Sequence, residues 1–430
     1  MKILIMSLCG QRDSVVDAVI AGHLREYGHE VYVHNYVKAG FQSVPYLKPD
    51  VVVSPFPGGE FKVEFVNRCK EWGCTVIVRR GEAGASREIF ETMDKDRQTI
   101  ILGNWDYSRY VDLELTWGRE FTDILAEKGC MPAGKLKACG AFAFDAYFLP
   151  ENKRETNHEK TILFATGFSC ADYTPELSEC GLPDGSPYHK ILYDQHRKGR
   201  DLWIGSIKKL AKWFGGDWRF IVKVRPGEQI IEYVKKLGDI VKVYPTKVSS
   251  LEALKKTDIL VHTGSTMAIE AHLLNIPSFN FHNINPDSLL ASASPRLETY
   301  NELEWNLARA NIYQSNIEMP VLWELEEHLY GKIDGKACER AATYIHEHIK
   351  DKEIKTEIPD EWPKEAKFIE DGVHDEEQEG DLRWICVVCK KTYYVQKNKD
   401  FAKCPYCGVN IKKKFNLAKK SLCQINQARP

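Results

Sequence analysis

Ile259-Leu-Val-His-Thr-Gly-Ser-Thr-Met-Ala-Ile-Glu-Ala-His-Leu-Leu-Asn-Ile-Pro-Ser-Phe-Asn-Phe281 reads as strand, tight turn, helix and strand. Ile259–Val261 is a short apolar run of the kind buried on both faces of a parallel sheet. Gly264 permits a sharp turn, and Ser265 and Thr266 stand where a helix N-cap is expected. A helix start offers unpaired N–H groups and the positive end of the helix dipole, and two hydroxyls beside them suit a phosphate. The same residues also make an ordinary cap. The stretch alone leaves capping and anion binding both open.

Strand and helix patterns alternate on either side of it. Upstream, strands are predicted at Lys2–Leu8, Val31–Tyr36, Val51–Ser54, Thr75–Arg79 and near Leu136–Ala141, with a further apolar run at Leu113–Thr116. Helical spacing covers Val15–Tyr27, Glu60–Trp72 and Arg119–Lys128. A polar break at Pro150–Lys160 reads as a linker. Alternation then resumes with strands Thr161–Thr166, Trp218–Val224 and Ile240–Tyr244 and helices Ile204–Phe214, Gln229–Leu237 and Ser250–Lys256. Such alternation predicts parallel, doubly wound sheets. We therefore expect two tandem Rossmann-like α/β domains, residues 1–150 and 151–350, facing one cleft, with helices in Glu324–Lys350 closing the second. Residues 351–382 are crowded with Asp and Glu and read as a flexible acidic linker. A cysteine module occupies 383–411 and a basic tail 412–430.

The chain has 430 residues, 43% hydrophobic and 28% charged, with a net charge of −2. That balance supports sizeable cores and gives no overall field for nucleic acid or an anionic membrane. The opening Met1–Met6 run is too short for a signal-peptide core, and no stretch approaches the ~20 apolar residues that span a bilayer. Cytoplasmic residence is the expectation, with peripheral attachment at the inner face of a membrane left open. Thirteen cysteines, an odd number, argue for a reducing compartment.

Four of those cysteines form Cys386-Val-Val-Cys389 and Cys404-Pro-Tyr-Cys407, separated by 14 residues. Two Cys-x-x-Cys knuckles at this distance can place four thiolates tetrahedrally around one metal. All four ligand positions are filled, so the metal is expected to be structural, and so small a module depends on it for folding. The knuckles also resemble iron-binding rubredoxin. Zinc is favoured over iron because no second redox centre is visible. A protein partner docking through the ribbon is a further expectation.

Polar residues gather at other predicted strand ends, where open α/β sheets bind ligands. Arg79-Arg-Gly-Glu-Ala-Gly84 offers two arginines for a substrate anion and Glu82 as a base, or a surface turn with an ion pair. Lys223-Val-Arg-Pro-Gly-Glu228 offers Lys223 and Arg225 to phosphates, or a plain strand-end turn. Asp94-Lys-Asp96 mimics a metal-binding acidic pair but sits in a charged, solvated segment.

Taken with His262-Thr-Gly-Ser-Thr-Met-Ala-Ile-Glu-Ala271, these motifs make residues 1–345 similar to bacterial GT-B glycosyltransferases of surface-carbohydrate biosynthesis. The similarity is to the branch of sialyl-, polysialyl- and Kdo-type transferases. It implies an acidic-Gly motif holding the acceptor base, matched here by Glu82-Ala-Gly84, with Ala83 a departure. It implies a Lys-x-His-Pro motif, matched by Lys223–Glu228 with Arg225 in place of His, and a Ser/Thr pair, matched by Ser265 and Thr266. An arginine clamps phosphate but cannot give up a proton near neutrality.

The expected function is transfer of a sugar from a nucleotide donor, favoured as CMP-nonulosonate or Kdo-like, to a glycan or lipid-linked acceptor. Glu82 is the expected base, and Arg225 and Lys223 the phosphate clamp. His262, Gly264, Ser265, Thr266 and Glu270 are expected to line the nucleotide, and Arg79 and Arg80 to pair with a sugar carboxylate. Cationic neutralisation of the leaving phosphate makes a catalytic metal unnecessary. Trp117 and Asp145 are expected near the cleft or packed at the domain boundary. Glycerophosphotransfer, sugar-nucleotide epimerisation and a non-enzymatic nucleotide-binding scaffold are the alternatives.

Overall fold

The computed structural model describes residues 1–7, 11–35, 41–55, 60–81, 86–93, 95, 98, 102, 108–155, 158–172, 187–225, 228–245, 248–282, 294–313 and 325–361. It also describes the short strands 381–385, 392–396, 401–403 and 410–412. Glu82, Asp94, Asp96 and the four cysteines of the ribbon lie outside these residues.

Two six-stranded sheets, parallel throughout, form the body of the molecule. In the first, β1 (Lys2–Ser7), β2 (Glu30–Asn35), β3 (Val51–Pro55), β4 (Thr75–Arg79), β5 (Leu113–Thr116) and β6 (Leu136–Ala138) lie in the order β2-β1-β3-β4-β5-β6. In the second, β7 (Thr161–Ala165), β8 (Arg219–Lys223), β9 (Lys242–Tyr244), β10 (Ile259–His262), β11 (Ser278–Phe281) and β12 (Arg296–Leu297) lie in the order β12-β11-β10-β7-β8-β9. Counted from β7, that is the doubly wound order of dinucleotide-binding sheets, and its direction reverses between β7 and β10. Burial on both sheet faces explains the unbroken apolar runs: β3, β4 and β7 are buried along their whole length.

The two domains are not divided as the sequence suggests. The helix Ala337–Ile349 buries Cys338, Ala341, Ala342, Ile345 and Ile349 in the first domain, against Ile3, Ile5, Val16 and Ile20. Leu325, Leu329 and Tyr330 join the same core, so the chain is back on the first domain by Leu325. The expected second domain of 151–350 is therefore too long at its end. The apolar stripe of that helix announces a buried face without saying which domain covers it.

The start of the expected acidic linker is also ordered against the first domain. Ile358 is buried beneath β4, and the amide of Glu357 donates to the carbonyl of Trp72 at 2.8 Å. Asp360 pairs with Lys48 at 2.7 Å. Gly73 has φ +86°, and a Cβ there would meet the carbonyl oxygen of Lys355 at 2.3 Å, so the strap needs glycine beneath it. Acidic residues in 351–361 mask the two isoleucines that hold the strap down.

The first crossover segment, Phe142–Phe148, is buried through Tyr147 and packs against the second domain's helix Met267–Leu273, whose Ala268 and Ile269 enter the first domain's core. That helix thus touches both domains. Beyond residue 361, β13 (Asp381–Ile385) pairs antiparallel with β14 (Thr392–Gln396), and β15 (Phe401–Lys403) with β16 (Asn410–Lys412).

Candidate functional site

The carboxyl ends of β8, β7, β10 and β11 lie side by side, and their register puts Lys223, Ala165, His262 and Asn280 in one lateral row. Paired residues of a parallel sheet face the same way, so Lys223 points to the side on which the helix Met267–Leu273 packs. Lys223 is only 8% exposed. Burial lowers its pKa, and the neighbouring Glu270 carboxylate, itself buried on that helix, opposes the shift. Its ammonium makes no hydrogen bond or ion pair with a described residue. Arg225, two residues on, is exposed. Two cations therefore stand beside the β7–β10 reversal, where sheets of this order take their ligands.

The β10 turn is built from the inside. Gly264 adopts φ +70°, and its amide donates to Oδ1 of the fully buried Asn280 at 3.1 Å. The amide of Ser265 donates to Nδ1 of His262 at 3.2 Å, so Nε2 carries the proton and donates to Ser294 Oγ at 2.8 Å. Burial pushes the His262 pKa down to about 3, and the ring is neutral. His262 is thus a hydrogen-bonded, buried histidine that shapes the turn from within.

The helix start also differs from expectation. The Met267 amide donates to Ser265 Oγ at 3.2 Å, and those of Ala268 and Ile269 to the carbonyls of Ser265 and Thr266. The helix is only seven residues long. With amides at 264, 265, 267, 268 and 269 already bonded inside the turn, an anion here meets hydroxyls and cations rather than a ring of free amides. Ser265 and Thr266 are half-buried, with Ser265 serving as a cap.

Sequence reasoning missed several residues here. Thr263 is 7% exposed with its hydroxyl unpaired among the described residues, and a Cβ on Gly167 would lie 2.2 Å from that oxygen. Gly167 therefore lets the β7 and β10 turns approach closely. Glu228, in sequence only the end of a motif, is a buried anchor that accepts from Thr166 Oγ1 at 2.9 Å and the Phe168 amide at 2.8 Å. Thr166-Gly167 at a strand end is a visible counterpart of Thr263-Gly264. Nothing in the sequence pairs Glu228 with it.

In the first domain, Arg79 and Arg80 are drawn into the core. Both are buried: Arg79 sits 2.9 Å from Asp17, beside the Phe142 ring, and Arg80 pairs with Glu114 over Phe121. Their charges are matched within the core, so they are not presented to a substrate carboxylate. They anchor the end of β4, from which the segment containing Glu82 departs. Trp117 is buried, its indole N–H donating to the Arg80 carbonyl at 3.0 Å. Asp145 caps the helix Ala337–Ile349 and is likewise enclosed rather than open to the cleft.

The architecture is that of the GT-B fold. The chain is similar to S. aureus MnaA in a co-structure with UDP (TM-score 0.50, 14% identity, 84% of this chain and 100% of that one). It is similar to a Listeria monocytogenes protein assigned as a UDP-N-acetylglucosamine 2-epimerase (0.50, 12%, 84% and 100%). It is also similar to the wall teichoic acid polymerase TagF (0.50, 15%, 81% and 89%). At these identities the likeness concerns the fold. No family model matches the chain, and no curated protein matches it in sequence.

Proposed function

We propose that the chain is an enzyme that binds a nucleotide sugar at the β7–β10 reversal and transfers the sugar to a surface-glycan acceptor held by the first domain. The observation that carries this reading is the cationic pair at the end of β8: Lys223, buried yet without a hydrogen-bonding partner among the described residues, and the exposed Arg225. An ammonium held out of water without a counter-ion bonded to it suits an incoming phosphate. Lys223 and Arg225 would stabilise the departing phosphate, with the hydroxyls of Ser265 and Thr266 beside it, and Glu82 would take the acceptor proton. Arg225 acts as a fixed charge and not as an acid. Glu270 remains a nucleotide-side residue through its closeness to Lys223.

The preference for a CMP-nonulosonate or Kdo-like donor rests on motif resemblance alone, because Arg79 and Arg80 do not supply a carboxylate site. Thermal unfolding with CMP, CDP, UDP and GDP tests the nucleotide. A ligand at 100 times its Kd adds about 2.7 kcal/mol, and no shift with any of them would sink the reading.

The likeness to a 2-epimerase favours a second reading, sugar-nucleotide epimerisation. Incubation with UDP-N-acetylglucosamine separates the two. An epimerase converts it without an acceptor, whereas a transferase leaves it unconverted until an acceptor is present.

For the ribbon, we propose a structural zinc held by Cys386, Cys389, Cys404 and Cys407. β13 and β14 are joined by residues 386–391, and β15 and β16 by 404–409. Each six-residue connection begins with a cysteine and carries a second three positions later. Matched hairpins of this kind support four-thiolate ligation. Elemental analysis of the purified chain should find one zinc per chain, and iron in its place would correct the metal. Among the described residues no helix is long and apolar enough to cross a membrane, and attachment to a lipid-linked acceptor remains part of this proposal.

A further inference from the structure

One buried carboxylate ties together the turns at the ends of β7 and β8. Glu228 is 6% exposed, and its Oε1 accepts from Thr166 Oγ1 at 2.9 Å and from the Phe168 amide at 2.8 Å, while Oε2 accepts from the Tyr233 hydroxyl. Thr166 continues the connection. Its Oγ1 accepts from the amide of Arg225 at 3.0 Å, and its own amide donates to the carbonyl of Lys223 at 3.1 Å. Carboxylate and hydroxyl thus form a bridge that ends on the backbone of the two residues presenting the cations. Asp172 reinforces the same corner, accepting from the Gln229 amide at 2.9 Å and from the Arg200 guanidinium.

Joining two neighbouring parallel strands does not require an acid, because the ladder and the apolar face already do so. Burying one here is unfavourable: burial pushes the Glu228 pKa up, against the pull of Tyr233, Thr166 and Phe168. What the carboxylate adds is direction. All three groups that touch it are donors, and Thr166 Oγ1 already accepts from Arg225, so the acceptor-only ionised form fits the site.

We propose that Glu228 is the positioning residue of the anion site, setting through Thr166 the backbone at Lys223 and Arg225 so that both cations meet one phosphate group. The proposal rests on the nucleotide reading above. It implies a graded response to substitution. Glu228→Gln keeps an oxygen for Thr166 and Phe168, Glu228→Leu removes every acceptor, and Thr166→Val removes only the bridging hydroxyl at nearly constant shape.

The test uses the full chain and these three variants, titrated with CMP, CDP, UDP and GDP by calorimetry. Amide hydrogen exchange at Phe168 and Arg225 is followed in parallel without ligand. For whichever nucleotide the wild type takes, Glu228→Leu and Thr166→Val should each raise Kd about tenfold or more, and Glu228→Gln should stay within about threefold of wild type. Exchange at the Arg225 amide should rise in Glu228→Leu and Thr166→Val and hold in Glu228→Gln. Thr166→Val carries the test if Glu228→Leu fails to fold. Wild-type Kd in Thr166→Val, or a Glu228→Gln as weak as Glu228→Leu, would overturn the positioning role. A wild type that binds none of the four would refute the nucleotide reading instead. Exchange at Arg225 would then decide the bridge by itself, and unchanged exchange in the variants would overturn that too.

Discussion

The carboxylate of Asp145 accepts the backbone N–H of Cys338 at 2.6 Å, and that of Ala337 at 3.1 Å. Asp145 lies in the segment by which the chain leaves the first domain, and Cys338 opens the helix by which it comes back. One side chain thus caps the returning helix and pins the outgoing crossover to it. Burial pushes the Asp145 pKa up, and the Cys338 and Ala337 bonds offset that rise only in part.

Removing this cap should loosen the first domain. Asp145→Ala is expected to cost about 1–2 kcal/mol, the range for lost helix caps. Asp145→Asn, which keeps one acceptor, should cost less. Urea unfolding of both variants checks the order, and equal losses would mean that the contact is only packing.

Arg225→Ala should separate binding from stability. The side chain is exposed and has no ion pair with a described residue, so the unfolding free energy should move by less than about 0.5 kcal/mol. Nucleotide affinity should fall by about tenfold or more, as for loss of a charge-assisted contact. Calorimetry beside thermal unfolding reads both quantities, and unchanged affinity would remove Arg225 from the site.

Truncation should distinguish the strap from the more distal residues. A chain ending after Glu361 keeps Ile358 and the Glu357–Trp72 bond and should melt like the full chain's α/β body. A chain ending after Lys350 uncovers the first domain's lower core and should melt several degrees lower, since about 1 kcal/mol shifts a domain of 150–250 residues by roughly 2–4 °C. Gly73→Ala, with a backbone oxygen in the way of its Cβ, should mimic the shorter chain in part.

His262 should leave a signature in acid. Its folded pKa is depressed to about 3 from 6.5, so the unfolded chain binds the proton first. The contribution is fully present above pH 6.5 and is lost as pH falls from there toward 3. His262→Gln, which cannot titrate, should show a shallower fall in stability over that window. Parallel pH profiles for the two chains would show that the ring does not stay neutral when folded.

Much of the architecture was legible in the chain. Apolar runs bounded by Gly and polar turns marked the principal strands of both sheets, because strands buried on two faces have no polar face to interrupt them. Lys223 and Arg225 stood out because basic residues at a strand end are conspicuous. What failed were judgements about which surface a residue meets. Arg79 and Arg80 read as exposed, since local sequence says nothing of Asp17 and Glu114, distant in the chain, that take up their charge. The acidic count of 351–361 suggested a solvated linker although two isoleucines sufficed to seat it. His262 read as a nucleotide-side residue, and local sequence does not show that the Ser265 amide and Ser294 engage its two nitrogens.

The stretch Ile259–Phe281 shows where the division falls. By itself the sequence determined a buried strand, a turn that needs Gly264, and a short helix, because these arise from local sterics, capping and hydrophobic periodicity. Only the tertiary structure decided that β10 lies beside β7 at the reversal of strand order, that Asn280 and His262 take up the turn's amides, and that Lys223 arrives nearby with no hydrogen-bonding partner among the described residues. Those relations depend on contacts between segments far apart in sequence, and no local propensity encodes them. The proposed anion site is accordingly centred on the cationic end of β8 rather than on the helix start.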